Sequence, residues 1–319
     1  MSESEVAITL IPDGACEAHR IDESVTIISD SQFRSVDRLY TGTFSSIFRS
    51  GLLDSRTPGH VRSVIIKGIR PIGEQDPSLF VLNELNIWRL LNGHLHIALF
   101  LGITNLHRFD TGCTRPLAVS HYYERGTPRE FIRNTEPRLD CEARLTLLIG
   151  ILRGLEHIHN QKVVHGDLKG DNVVIGTLGD KLMAKITDFG SSRLACLDCV
   201  SGNLSDPEGT VLWDSPEVGM EETGRTIWSD IWAAGCVALE VQLDTFPYTP
   251  RFEEPGNSHI LIAMNRQRNG LPPADIADFN FEAMRTSEAV WIIIQDCWNR
   301  VPSQRPGARQ LAARLEGIL

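Results

Sequence analysis

The sequence predicts an α+β fold, one large two-lobed domain or two ordinary ones, with a small β-rich first part carrying one helix and a larger, mainly α-helical second part. Three observations predict it. Before residue 123, runs rich in β-branched and aromatic residues (39–53, 61–69, 95–102 and 117–122) are interrupted by one helical stripe at 78–92. Beyond that point helical patterns dominate, with an amphipathic stretch at 143–160 and a helix opening at 229–235 that is apolar on all sides. Between the two helical stretches, residues 163–175 read V-V-H-G-D-L-K-G-D-N-V-V-I, a polar loop set between short apolar runs.

Composition narrows the functional classes. Lys plus Arg number 31 against 41 Asp plus Glu, a net charge of −10, so the surface as a whole repels phosphate backbones and anionic lipid. Nucleic acid is not an expected partner. Nor is a membrane, since no apolar run reaches the roughly 18 to 20 residues of a spanning helix; 227–241 is broken by Ser229, Asp230 and Glu240. The acidic opening at 1–5 lacks the basic and apolar regions of a signal peptide, which points to the cytoplasm or nucleus. Seven scattered cysteines favour free thiols over a disulfide framework, and the lone C-x-x-C at Cys196 and Cys199 has no second pair at zinc-finger spacing.

Taken in order, residues 1–35 hold two β-like runs, 6–11 and 25–28, read as an extension packed on the first lobe or its edge. From Leu39, L-Y-T-G-T-F-S-S-I-F looks like a strand, a tight loop and a returning strand, which by itself is an ordinary hairpin. Strand 61–69 places Lys67 among apolar residues, where an ammonium needs an anionic partner or must turn to water. Helix 78–92 carries apolar residues at 82, 85, 88 and 91 and puts Glu84 one turn from Trp88 on a shared face. Two further strands, 95–102 and 117–122, lead to a polar connection at 123–127. In helix 143–160, His157 and His159 are read as end residues favoured by the helix dipole. A buried Asp230 must be satisfied by hydrogen bonds.

The loop at 163–175 combines a carboxylate, a lysine and an amide within one turn, groups suited to a base, a movable charge and a cation ligand. It resembles the catalytic loop of eukaryotic protein kinases, H-R-D-L-K-x-x-N, with Gly166 where the family usually has Arg. Small-molecule phosphotransferases carry a similar H-G-D loop. Further matches follow in order: a degraded glycine-rich loop around Gly42, V-A-I-K at Lys67, Asp188-Phe189-Gly190, Ser215-Pro216-Glu217 for A-P-E, and C-W-N-R-V-P-S-Q-R-P near the end. That tail is absent from the small-molecule enzymes. The chain therefore resembles a tyrosine-kinase-like Ser/Thr kinase, similar to fungal members with an H-G-D loop.

The resemblance implies the bilobal protein kinase fold over 36–319, with an N-lobe at 36–120, a hinge at 121–127 and a C-lobe at 128–319, preceded by the 1–35 extension. It implies ATP and Mg²⁺ as cofactors and a protein hydroxyl as substrate. Lys67, paired with Glu84, would hold the α and β phosphates. Gly42 and Phe44 would cover the phosphates, with Ile47, Ile65 and Val174 around the adenine and Val119 as gatekeeper. The backbone of Ser120 and Tyr122 would read the adenine edge. Asn172 and Asp188 would hold metal, Asp167 would act as base, Lys169 would offset γ-phosphate charge, and Trp88 would pack toward Phe189. Asp230 would hold the catalytic-loop backbone, and Arg305 would pair with Glu217. Because Gly166 removes the usual arginine, activity is expected without phosphorylation of Ser191, Ser192, Ser201, Ser205 or Thr210 in a loop-like, mobile segment. The competing reading is a catalytically silent pseudokinase scaffold, suggested by Tyr40 and Ser45 at glycine positions and by the bulk of Ile65.

Overall fold

The computed structural model describes residues 25–42, 45–54, 57, 59–70, 78–107, 112–195, 211–249, 256–278 and 287–319. Phe44, the run at 6–11, Cys196, Cys199, Ser201, Ser205 and Thr210 lie outside the described residues. The chain divides into two compact units, Met1–Gly93 with Ala98–Tyr122, and His94–Ile97 with Tyr123–Leu319.

The first unit is built on an antiparallel five-stranded sheet in the order β1-β2-β3-β5-β4. The strands are β1 (Phe33–Thr41), β2 (Ser45–Leu53), β3 (Val61–Ile69), β4 (Phe100–Thr104) and β5 (Thr114–His121), with helix α1 (Ser78–Leu91) between β3 and β4. Strand alternation decides what each face does. Phe48, Val64, Ile66, Leu117 and Val119 point to one side and form the core with Ile28 and Phe33. The stretch from Val25 thus enters the unit: Ile28 joins the core, and Ile27 forms a parallel bridge to Ile103. On α1 the buried stripe is Val81, Glu84, Leu85, Ile87, Trp88 and Leu91, with Leu82 only half-buried.

The fourth strand departs from expectation, starting at Phe100 rather than 95. Residues 94–97 instead belong to the second unit, where the His96 carbonyl accepts from the Ile186 amide at 2.9 Å and Ile97 bridges Ile186.

The second unit comprises α2 (Pro128–Asn134), α3 (Cys141–Asn160), β6 (Val163–Val164), β7 (Val173–Leu178), β8 (Lys181–Ile186), β9 (Arg193–Leu194), α4 (Pro216–Gly219), α5 (Ile227–Leu243), α6 (Asn257–Arg268), α7 (Glu288–Asp296) and α8 (Ala308–Glu316). Helix α3 begins where the Asp140 carboxylate accepts from the Ala143 amide at 2.8 Å. Every residue of α5 from Ser229 to Leu243 is buried, as its all-round apolar pattern requires. Short strands β6 and β9 pair with each other, as do β7 and β8. Those pairings fix the two ends of the 163–175 loop. Among the described residues no helix is long and apolar enough to cross a membrane.

Candidate active site

In the first unit the site is built around Lys67. Its ammonium lies 2.8 Å from Glu84 Oε1, with side chains only 12% and 4% exposed. Burial removes water's competition for both charges, so each depends on the other. Trp88, one turn on, is buried against Phe100 with ring centroids 5.5 Å apart and donates its indole N–H to the Ala98 carbonyl at 2.8 Å. This anchors α1 where Glu84 meets β3.

The sheet face that carries Lys67 is legible from register. Ile47 and Ala118 stand opposite Lys67, and Ser120 stands opposite Ile65. Val119 lies on the other face, fully buried in the core and opposite Ile66. Its assignment as gatekeeper is therefore corrected: with a period of two, a shift of one residue turns a side chain to the opposite side of the sheet. Ser120 presents its side chain on the Lys67 face. The Tyr122 amide donates to the Ser63 carbonyl at 3.2 Å, and its ring lies under Arg49. Gly42 closes the β1–β2 turn: its amide donates to the Ser45 carbonyl and its carbonyl accepts from Arg70, both at 2.9 Å. A Cβ there would come within 2.8 Å of the Tyr40 ring, an exposed side chain that can swing aside.

In the second unit the catalytic-loop candidates converge. Asn172 donates its amide N–H to the Asp167 backbone carbonyl at 2.7 Å and to Asp167 Oδ2 at 2.9 Å, and the Lys169 ammonium sits 2.9 Å from the same Oδ2. Asp167 Oδ1 is buried with no hydrogen-bond partner among the described residues. One carboxylate oxygen is thus fixed and the other is left to accept a proton. Burial opposes the Lys169 charge, but Asp167 beside it outweighs burial and holds its pKa above the usual lysine value. With its amide nitrogen committed to Asp167, Asn172 keeps a carbonyl oxygen for a cation.

Asp188 is brought beside Asn172 by strand pairing. Val173 faces Ile186 across β7 and β8, and the Thr187 amide donates to the Asn172 carbonyl at 2.9 Å. Asp188 itself takes a left-handed backbone, φ 63°, and accepts from the Gly190 amide at 3.3 Å. Phe189 is wholly buried, its ring edge-on to His165 at 5.5 Å. Val174 is half-buried between buried Val173 and Ile175, on the hairpin face it shares with Lys185. No three His, Cys, Asp or Glu side chains cluster to cage a metal among the described residues.

Supporting groups hold the loop from below. Asp230, 2% exposed, accepts from the amides of His165 (2.8 Å) and Gly166 (2.9 Å) and from His159 Nε2 (3.0 Å). Burial alone would raise its pKa, but the His159 bond and neighbouring donors hold it below the usual carboxylate value. Glu240 Oε1 accepts from the Gly170 amide at 3.0 Å and the Trp213 indole at 2.8 Å; burial pushes this carboxyl up to about 7. Ser192 is buried and donates its hydroxyl to the His165 carbonyl at 2.8 Å. Arg305 grips both oxygens of Glu217 at 2.7 and 2.8 Å.

Sequence reasoning missed His159 and Glu240. The signal for Glu240 was present, since a carboxylate inside an all-apolar helix raises the same question as Asp230. Nothing in the sequence placed His159 against Asp230, 71 residues away.

The protein kinase domain family matches residues 36–314. The chain belongs to the protein kinase family. It is 29% identical over 216 residues to the serine/threonine/tyrosine-protein kinase HT1 of Arabidopsis thaliana, covering 66% of this chain and 50% of that protein. With human serine/threonine-protein kinase A-Raf it shares 25% identity over 297 residues, 91% of this chain and 44% of A-Raf. An RGS domain-containing serine/threonine-protein kinase of Dictyostelium discoideum is 29% identical over 202 residues, 63% of this chain and 16% of its own. The chain thus spans half or less of these relatives' lengths. Relatives of the HT1 and Raf kind agree with the tyrosine-kinase-like resemblance read from the motifs.

Proposed function

We infer that this kinase-family chain is a protein serine/threonine kinase that transfers the γ-phosphate of ATP to a protein hydroxyl. The observation that carries the reading is Asp167, one oxygen fixed by Asn172 and Lys169 and the other unpartnered. A carboxylate so held is oriented to accept a hydroxyl proton rather than to serve as one end of a structural ion pair.

The other roles follow from the chemistry of each group. Lys67, steadied by Glu84, orients the α and β phosphates. Lys169 offsets charge on the transferred phosphoryl group and, two residues past Asp167, fits the Ser/Thr type. Asn172 and Asp188 would hold Mg²⁺, which when bound neutralises the phosphate oxygens. Glu217, locked by Arg305, fixes the start of α4 and so the shape of the segment that meets a substrate. On the Lys67 face, Ile47, Ile65, Ala118 and Ser120 form the lining available to an adenine ring. We assign the kinase domain to 36–319, with 1–35 as an extension.

The test is transfer of label from γ-labelled ATP with Mg²⁺ to a generic protein substrate, followed by phosphoamino-acid analysis. Phosphoserine and phosphothreonine support the reading. Nucleotide binding without any transfer would favour the pseudokinase scaffold, and phosphotyrosine alone would overturn the Ser/Thr assignment.

A further inference from the structure

The residue before the proposed base is glycine, with φ +81°, and no side chain fits there: an added Cβ would lie 2.6 Å from the Ser191 carbonyl oxygen and 3.6 Å from Arg225 Cδ. Arg225, just before the N-cap of α5, and Asp230, in its first turn, grip that residue from opposite ends. Its amide donates to Asp230 Oδ1 at 2.9 Å, and its carbonyl accepts from the Arg225 guanidinium. The Gly166 carbonyl belongs to the peptide bond that leads into Asp167. Holding it therefore sets the plane from which the Asp167 side chain springs.

Arg225 has a second engagement. Its Nη2 lies 3.2 Å from Asp214 Oδ1, in the segment that runs directly into Ser215-Pro216-Glu217, with side chains 18% and 16% exposed. Gly166, Asp167, Asp214 and Arg225 line one small cavity of about 10 Å³, scarcely room for a water. The guanidinium therefore ties two parts of the site together, the peptide bearing the proposed base and the segment that leads into Ser215-Pro216-Glu217. Burial raises the Asp214 carboxyl to about 6 while Arg225 draws it down, so at neutral pH the partner of Arg225 is mostly the carboxylate.

We propose that Arg225 and Asp214 form a built-in latch, positioning residues that hold the catalytic-loop peptide to the substrate-receiving segment. The inference rests on the phosphotransfer reading above. Because the anion facing Arg225 is a resident carboxylate, the latch closes without a phosphate on the chain, which gives the expected phosphorylation-independent activity a structural cause.

The experiment compares purified full chain with Arg225→Ala, Arg225→Lys, Asp214→Ala and the double Arg225→Ala/Asp214→Ala, reading kcat and ATP KM on a generic protein substrate. Each alanine variant is expected to lose about 10- to 100-fold in kcat with ATP KM within about twofold, as misplacing a catalytic group does. Arg225→Lys should recover part of the loss. The double variant should be no worse than Arg225→Ala, because both single changes open the same latch. Hydrogen exchange at the amides of 166–170 gives a readout independent of turnover and should quicken in Arg225→Ala. Single variants within twofold of the parent, losses that multiply in the double, or unchanged exchange would each overturn the latch. Asp167→Asn, run alongside, separates the two failures. An active parent disabled by Asp167→Asn but indifferent to Arg225→Ala refutes only the latch. An inactive parent refutes the function, and the exchange result then still judges the latch.

Discussion

Replacing Asp230 with Asn tests how the catalytic loop is held. Asp230 spends Oδ1 on the Gly166 amide and Oδ2 on the His165 amide and His159. An asparagine has one acceptor oxygen. If it keeps the His165 and His159 bonds, its NH₂ faces the Gly166 N–H, donor against donor, in a site 2% exposed. The loss is one charge-assisted hydrogen bond, about 1.5–3 kcal/mol, plus an orphaned buried amide at about 1–3 kcal/mol. Together these give about 2.5–6 kcal/mol, a large share of the roughly 5–15 kcal/mol that holds a domain folded. The Asp230 pKa is depressed in the fold, so this stabilisation is full above the unfolded carboxylate value and lost only as pH falls through the lower native one. The parent–variant gap should therefore be the same at pH 6 and pH 8. Urea unfolding followed by tryptophan fluorescence measures it, and kcat measured in parallel should fall about 100-fold as the Asp167 peptide drifts. A gap below about 1 kcal/mol with kcat intact would refute the anchoring argument.

Glu240→Gln should behave in the opposite sense. Both donors use Oε1, so glutamine keeps both bonds while removing a buried charge. With the native carboxyl raised to about 7, the fold binds a proton that the unfolded chain has released, so the parent loses stability as pH climbs from the unfolded value toward 7. The variant should match the parent near pH 5 and exceed it by about 2–3 kcal/mol at pH 8 in urea unfolding; equal curves at both would contradict the assignment. Glu217→Gln strands the charge of Arg305, whose side chain is 0% exposed, and should cost about 3–5 kcal/mol in the same assay. Gly166→Ala should cost about 1–3 kcal/mol, from its positive φ and the 2.6 Å approach to the Ser191 carbonyl; an alanine variant as stable as the parent would show that the loop can move aside.

Much of the site was legible because charge in an apolar context needs a partner. Lys67 inside an apolar strand called for an anion, and Glu84 supplies it; Asp230 inside an apolar helix called for donors, and the 165–166 amides supply them. The pairing of Arg305 with Glu217 followed from the resemblance. Facing direction in β5 was not legible. Leu117, Ala118 and Val119 are all apolar, so alternation carries no bias, and only the register against β3 shows Val119 inward and Ser120 on the Lys67 face. Likewise 95–97 has a strand-like composition, yet the backbone partner of His96 and Ile97 is Ile186 in β8, a choice that tertiary pairing makes. The Arg225–Gly166 contact spans 59 residues between a side chain and a carbonyl, and no local pattern encodes it.

The central claim is that Asp167 acts on the reacting hydroxyl while other groups hold the nucleotide. Single-turnover phosphoryl transfer by Asp167→Asn, measured beside its MgATP dissociation constant, addresses that division directly. The account predicts transfer slowed by about 10²- to 10⁴-fold with nucleotide affinity changed by no more than a few-fold. Undiminished transfer in the variant, or a loss traced wholly to weaker nucleotide binding, would contradict it.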